Sequence, residues 1–118
     1  MFIYYNLNSV DLQNICVLNK VKNKTSNGYY YKINYSTEYY LLDGLIIELD
    51  LNDEKKIKTF LNFEKNLIYK INMKNLNPVF NFKNYISKYK KQSVFIKICG
   101  LYSNNYNYGL IYKLINIV

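Results

Sequence analysis

Along most of this chain apolar side chains recur at every second position, the period of a strand with one buried and one wet face. Ile15, Val17, Asn19 and Val21 alternate with Cys16, Leu18 and Lys20, and Ser26-Asn27-Gly28 then marks a turn. Beyond it Tyr29, Tyr31, Ile33 and Tyr35 share one face, opposite Tyr30, Lys32 and Asn34. After Asp43-Gly44, Leu45, Ile47, Leu49 and Leu51 point one way and Glu48 and Asp50 the other. The alternation predicts two more strands over residues 57–63 and 67–73, parted by a turn at Glu64-Lys65-Asn66, with Lys58, Phe60 and Lys70 on the wet faces. The period then changes once. Asn77-Pro78 reads as an N-cap followed by the first helical position, and Val79, Phe82, Ile86 and Tyr89 recur at helical spacing, which predicts one amphipathic helix over 78–91. Two last strands follow, Val94, Ile96 and Ile98 alternating with Phe95, Lys97 and Cys99, then Leu110, Tyr112 and Leu114 alternating with Ile111, Lys113 and Ile115. The polar, aromatic loop YSNNYNYG at 102–109 joins them.

This order of elements predicts a mostly β fold with one helix. A run of strands, one helix and a closing hairpin is the order of an OB-fold-like small Greek-key barrel. Six or seven strands exceed the five such a barrel needs, so a β-sandwich or jelly roll stands as the alternative. At 118 residues the chain is expected to be a single domain, 1–118, with one core. It has no 18-residue apolar run, and MFIYYNLN lacks the basic start and apolar stretch of a secretory signal, so an intracellular chain without membrane contact is expected. Cys16 and Cys99 sit far apart in apolar stretches and the chain has no histidine, which reads as reduced thiols with no metal and no cofactor.

Composition changes how much the residue types can argue. Asn, Lys, Tyr and Ile dominate while Ala, Arg, His and Trp are absent, the outcome of a very AT-rich coding sequence such as that of a virus, plasmid, organelle or parasite. Lysine and tyrosine are therefore informative by placement and not by number. The placement is uneven. Residues 1–64 carry seven lysines against all eight acids, a net of −1, whereas residues 65–118 carry nine lysines and no acid, a net of +9. A half-chain without carboxylates suits a negatively charged partner, phosphate backbone above all. Without arginine, contacts to phosphate would be point charges, and sequence selectivity would be weak. Catalysis is not expected: there is no glycine-rich phosphate loop and no nucleophile elbow. Asp50, Asp53 and Glu54 read better as a strand end and a charged turn than as a Mg²⁺ site.

The wet faces carry lysines interleaved with aromatics, the mixture a single-stranded nucleic-acid site needs, because lysine tracks phosphates and a flat ring stacks a base. The candidate binding residues are Tyr30, Lys32, Lys58, Phe60, Lys70, Lys97, Tyr102, Tyr106, Tyr108 and Lys113. The closing segment FIKICGLYSNNYNYGLIYKLINI, residues 95–117, resembles the end of single-stranded DNA-binding proteins of the T7-phage type and their counterparts in large DNA viruses and cytoplasmic linear plasmids. The resemblance implies an OB-fold, non-sequence-specific single-strand binding, and a role in replication or genome maintenance at a site in the host cytoplasm or nucleus. Those proteins end in an acidic tail that recruits partners, and this chain ends in Leu-Ile-Asn-Ile-Val. The expected partner is single-stranded nucleic acid, DNA ahead of RNA, with homo-oligomers left open. The competing expectation is a small virion or assembly protein whose aromatic β faces are protein interfaces.

Overall fold

A computed structural model describes residues 2–22, 28–89 and 91–115. Its sheet is assembled on β7 (Ser93–Ser103), the longest strand, whose alternating Val94, Ile96 and Ile98 are buried on one face. One edge of β7 pairs antiparallel with β8 (Asn107–Ile115). The other edge is shared: β5 (Leu45–Asp50) takes its first half and β3 (Tyr29–Ser36) its second. β4 (Leu41–Asp43) pairs with β3, and the chain then turns at Gly44 into β5, which crosses to β7. Gly44 allows the bend because its φ of +80° lies where side chains are disfavoured.

Three shorter additions border this centre. β2 (Ile15–Lys22) runs antiparallel outside β3, β1 (Tyr5–Asn6) parallel outside β5, and β6 (Asn77–Val79) parallel outside β8. Among the described residues all eight strands belong to one sheet, and β1, β2 and β6 each pair on one side only. The sheet is open. The second sheet that a sandwich or jelly roll requires is not formed among those residues. The turn predicted at Ser26-Asn27-Gly28 lies outside them for its first two residues.

The stretch read as two strands, 57–63 and 67–73, is instead the main helix, α1 (Glu54–Ile71). Its start is set by Asp53, whose side chain accepts from the backbone N–H of Lys55 and Lys56, and its end by Asn72 in the left-handed conformation at φ 44°. Ile57, Phe60, Leu61, Glu64, Leu67, Ile68 and Ile71 fall on one helical stripe, and that stripe faces the sheet. The alternation seen from 57 to 63 counts Thr59 as inward, and Thr59 is exposed. Glu64, at the centre of the stripe, looked like a turn residue because a charge is rarely buried.

The helix predicted over 78–91 is also corrected. Asn77-Pro78 begins not a helix but the edge strand β6, where a missing N–H leaves no central ladder bond unmade. Helix follows only in the short α2 (Phe82–Ile86), and residue 90 of the predicted span lies outside the described residues. Asn81, which precedes α2, makes no side-chain cap. Glu64 supplies one instead: its carboxylate Oε2 accepts from the Phe82 N–H at 2.9 Å and from the Tyr112 hydroxyl at 2.6 Å. One buried carboxyl thus ties α1, α2 and β8 together. Phe60 and Phe82 stack beside it with ring centroids 4.0 Å apart.

Candidate functional site

Both helices pack on the face formed by Leu45, Ile47, Ile96, Ile98, Leu101 and Tyr112. The opposite face carries neither helix, and strand register dictates what it presents. In the row nearest the β7–β8 turn, Tyr30 pairs across to Tyr102, which pairs to Gly109. The next row is Lys32, Gly100 and Ile111. Then come Ile46, Lys97 and Lys113, and last Glu48, Phe95 and Ile115. Tyr30, Tyr102, Phe95 and Lys97 are half-buried, Lys32 and Lys113 exposed.

The two glycines explain how tyrosines lie on this surface. A methyl group at Gly100 would come within 2.9 Å of the Tyr30 ring, and one at Gly109 within 3.0 Å of the Tyr102 ring. Each ring therefore leans over bare backbone, an aromatic–glycine pairing that keeps it down on the sheet. Its ends are held as well. The Tyr30 hydroxyl donates to the Cys99 carbonyl at 3.3 Å, and the Asn81 Nδ2 donates to the Tyr102 hydroxyl at 3.5 Å and to the Leu110 carbonyl at 3.1 Å. Burial raises the Tyr30 hydroxyl above its ordinary pKa, with Cys99 and Asp43 adding to the effect and Lys32 opposing it. Burial likewise raises the Cys99 thiol, against the pull of Lys97 and Lys113. That thiol stays protonated at neutral pH and is a poor nucleophile.

The lysines of the face are not equivalent. Lys32 is 3.1 Å from Asp43, so part of its charge is answered within the protein. Lys97 runs its methylenes over Gly44, and its neighbour across the strands is Lys113. Two cross-strand lysines repel, and an anion between them relieves that repulsion.

The sequence analysis named ten binding candidates, and five of them, Tyr30, Lys32, Lys97, Tyr102 and Lys113, share this face. The others do not. Phe60 is fully buried in α1, and Tyr108 is buried with its hydroxyl donating to the Ile68 carbonyl at 3.1 Å. Both are core residues. Lys58 and Lys70 project from α1, on the other side of the sheet, and the Lys70 ammonium donates to the Leu12 carbonyl. Tyr106 is 73% exposed at the tip of the β7–β8 hairpin, away from the register rows. The YSNNYNYG loop shrinks to residues 104–106, since its outer residues continue the strands. Asn104 holds it by accepting from the N–H of Tyr106 at 2.9 Å and of Asn107 at 2.7 Å.

No family model, curated protein or solved structure matches this chain. The face must therefore be read from its own chemistry. Phe95 belongs to it although it is not among the ten candidates, and the rings of Phe2 and Tyr4 lie 5.3 and 4.9 Å from that of Phe95. The signal for the whole surface was present in Gly100 and Gly109. Glycine inside a strand marks a close approach, and here the approaching groups are tyrosines. The described lysines of the second half do not gather on one surface: Lys97 and Lys113 are on the open face, Lys65 and Lys70 on α1, Lys83 on α2. No helix among the described residues is long and apolar enough to cross a membrane.

Proposed function

We propose that this chain binds single-stranded nucleic acid, DNA ahead of RNA, along the open face of its sheet. One observation carries the reading: Tyr30 and Tyr102 lie side by side over glycines, with Lys97 and Lys113 two register rows further along. Successive rows on one face are two residues apart, about 7 Å, which is the reach of one nucleotide of an extended strand. Bases stack on the rings while the lysines meet phosphates, and neither contact reads sequence strongly. Open sheets with helices on one side and aromatic rings on the other serve single strands in this way. An OB-fold-like barrel is the finer form of the fold and the resemblance implies it, but a bare face serves without closure. The replication role and the viral or plasmid source belong to the same proposal.

Fluorescence anisotropy of a labelled oligo-dT tests it. Binding at micromolar protein and low salt is expected, weakening steeply as salt rises. In the Lys97→Ala/Lys113→Ala protein the slope of log affinity against log salt should flatten by about 1.4, two phosphates at about 0.7 each. Absence of binding by the wild type, or an unchanged slope in the variant, rejects the reading.

A second reading has its own observation. Phe2, Tyr4 and Phe95 form an aromatic cluster at one end of the face, and Val17, Leu18 and Val21 are exposed on the edge strand β2. Clustered rings without lysine suit a protein interface, as in an assembly component. Sedimentation giving a salt-insensitive oligomer indifferent to DNA would favour it.

A further inference from the structure

Beside the open face, where β8 meets the α2 segment, lies a groove of about 340 Å³. Asn81, Asn84, Tyr85 and Lys88 line it on the helix side, Tyr102 and Ile111 on the sheet side. Its volume is at the low end of the roughly 300–1,000 Å³ typical of small-molecule sites. Tyr102 belongs to both features, so a strand stacked on the face arrives directly at the groove.

The groove's polar groups are arranged for a ligand with both donors and acceptors. Because Glu64 caps α2, Asn81 is released from that task and turns its amide to the sheet, where it steadies the Tyr102 hydroxyl. Asn84, one turn along, makes no side-chain hydrogen bond among the described residues, although its backbone carbonyl accepts from Ser87. Its carboxamide therefore offers a donor and an acceptor side by side. Lys88 adds a cation to the same lining.

We infer, resting on the single-strand reading above, that this groove takes one purine base of the bound strand, adenine first. The Tyr102 ring stacks a two-ring base over more area than a pyrimidine. A carboxamide pairs with an adjacent acceptor and donor, and adenine presents that pair on two edges, N7 with N6 and N1 with N6. Lys88 meets the phosphate that follows. The chain thus binds strands with little selectivity along the face and a preference at one position.

The test compares a labelled dT6 with the same oligonucleotide carrying one central dA, against the wild type and Asn84→Ala. Asn84 is exposed and without a hydrogen bond from its side chain among the described residues, so the variant should keep the wild-type melting temperature. The wild type should bind the dA-containing strand about fivefold tighter, the low end of a bidentate base contact. In Asn84→Ala that ratio should fall to about one. Equal affinities in the wild type, or a ratio that survives in Asn84→Ala, overturn the groove while leaving strand binding standing. If neither oligonucleotide binds at low salt, the open-face reading falls and the groove with it.

Discussion

On the helix side of the sheet Ile47, Ile96 and Ile98 are wholly enclosed, whereas one residue along each strand, on the side without helices, Ile46, Lys97 and Cys99 are half-buried. The same two-residue alternation writes both faces. What separates them is α1, which lays Phe60, Leu67 and Ile68 on one and leaves the other bare. On the covered face complementarity is internal, ring against ring, and burial does the stabilising. On the bare face the rings are only half-buried, and glycines beneath Tyr30 and Tyr102, with one hydrogen bond at each hydroxyl, position them. The first face should govern stability and the second binding.

The largest effect that can break this division comes from two phenylalanines. Phe60→Ala empties a site that is fully enclosed between Phe82, Phe63 and Tyr112, and should cost about 3–5 kcal/mol in urea denaturation. Phe95→Ala, on the bare face, loses edge contacts to Phe2 and Tyr4 and should cost about 1 kcal/mol. Equal losses would mean that something covers the second face.

Next in size is the carboxyl that joins the covered layer. Glu64 is buried, which raises its pKa above the ordinary 4.5, against the lowering effect of its bonds from Tyr112 and Phe82. Its Oε1 has no hydrogen-bond partner among the described residues. A raised folded-state pKa means the native protein holds this proton more tightly than the unfolded chain. The group's contribution is therefore full below about 4.5 and is lost as pH rises through the folded value. Glu64→Gln keeps an acceptor for Tyr112 and Phe82 and cannot ionise, so its stability relative to wild type should improve from pH 4 to pH 8. Glu64→Ala strands both donors and should cost about 2–4 kcal/mol at pH 4 and less at pH 8, since it too cannot ionise. A Gln variant whose difference from wild type does not change with pH would show that Glu64 titrates normally.

Legibility in the sequence followed the same division. Strands on which every second residue is Ile, Leu or Val, 45–50 and 93–98, were readable because only one register buries them. α1 was not, because a chain so rich in Lys, Asn and Tyr lets Ile57, Leu61 and Phe63 mimic alternation, and because the helical stripe runs through a buried glutamate. Once 54–71 is a helix, Phe60, Lys58 and Lys70 leave the candidate site together. Tyr108 and Tyr102 illustrate the remaining limit. They flank one turn on paired strands, yet Tyr108 faces the core beside Ser103 and Tyr102 the open side over Gly109. Two-residue parity carried on from Val94, Ile96 and Ile98 assigns both to the covered face; the bulge between Ile98 and Gly100 shifts β7 by one residue and turns Tyr102 outward, and no alternation announces it. The groove required α2, whose position depends on Glu64, and no local pattern announces that bond.

The smallest effect discriminates most finely, since it sets two rings of one hairpin, one half-buried and one exposed, against each other. Tyr106 at the tip is more accessible than Tyr102, and accessibility alone would make it the better place for a base. Stacking, though, also requires a ring held still, because ordering a free side chain opposes binding. Tyr102 is held by Gly109 beneath it and Asn81 at its hydroxyl, and it has Tyr30 alongside. Tyr106 keeps its backbone in place through Asn104, and the hydrogen bonds of the hairpin tip involve no Tyr106 side-chain atom. Tyr102→Ala should therefore weaken oligo-dT binding at least fivefold, about 1 kcal/mol or more for one stacked base. Tyr106→Ala should change it less than twofold, and neither should alter stability by more than about 1 kcal/mol. The reverse order of affinities would move the contact from the sheet face to the hairpin tip, and the glycine-backed rings would then be packing for its own sake.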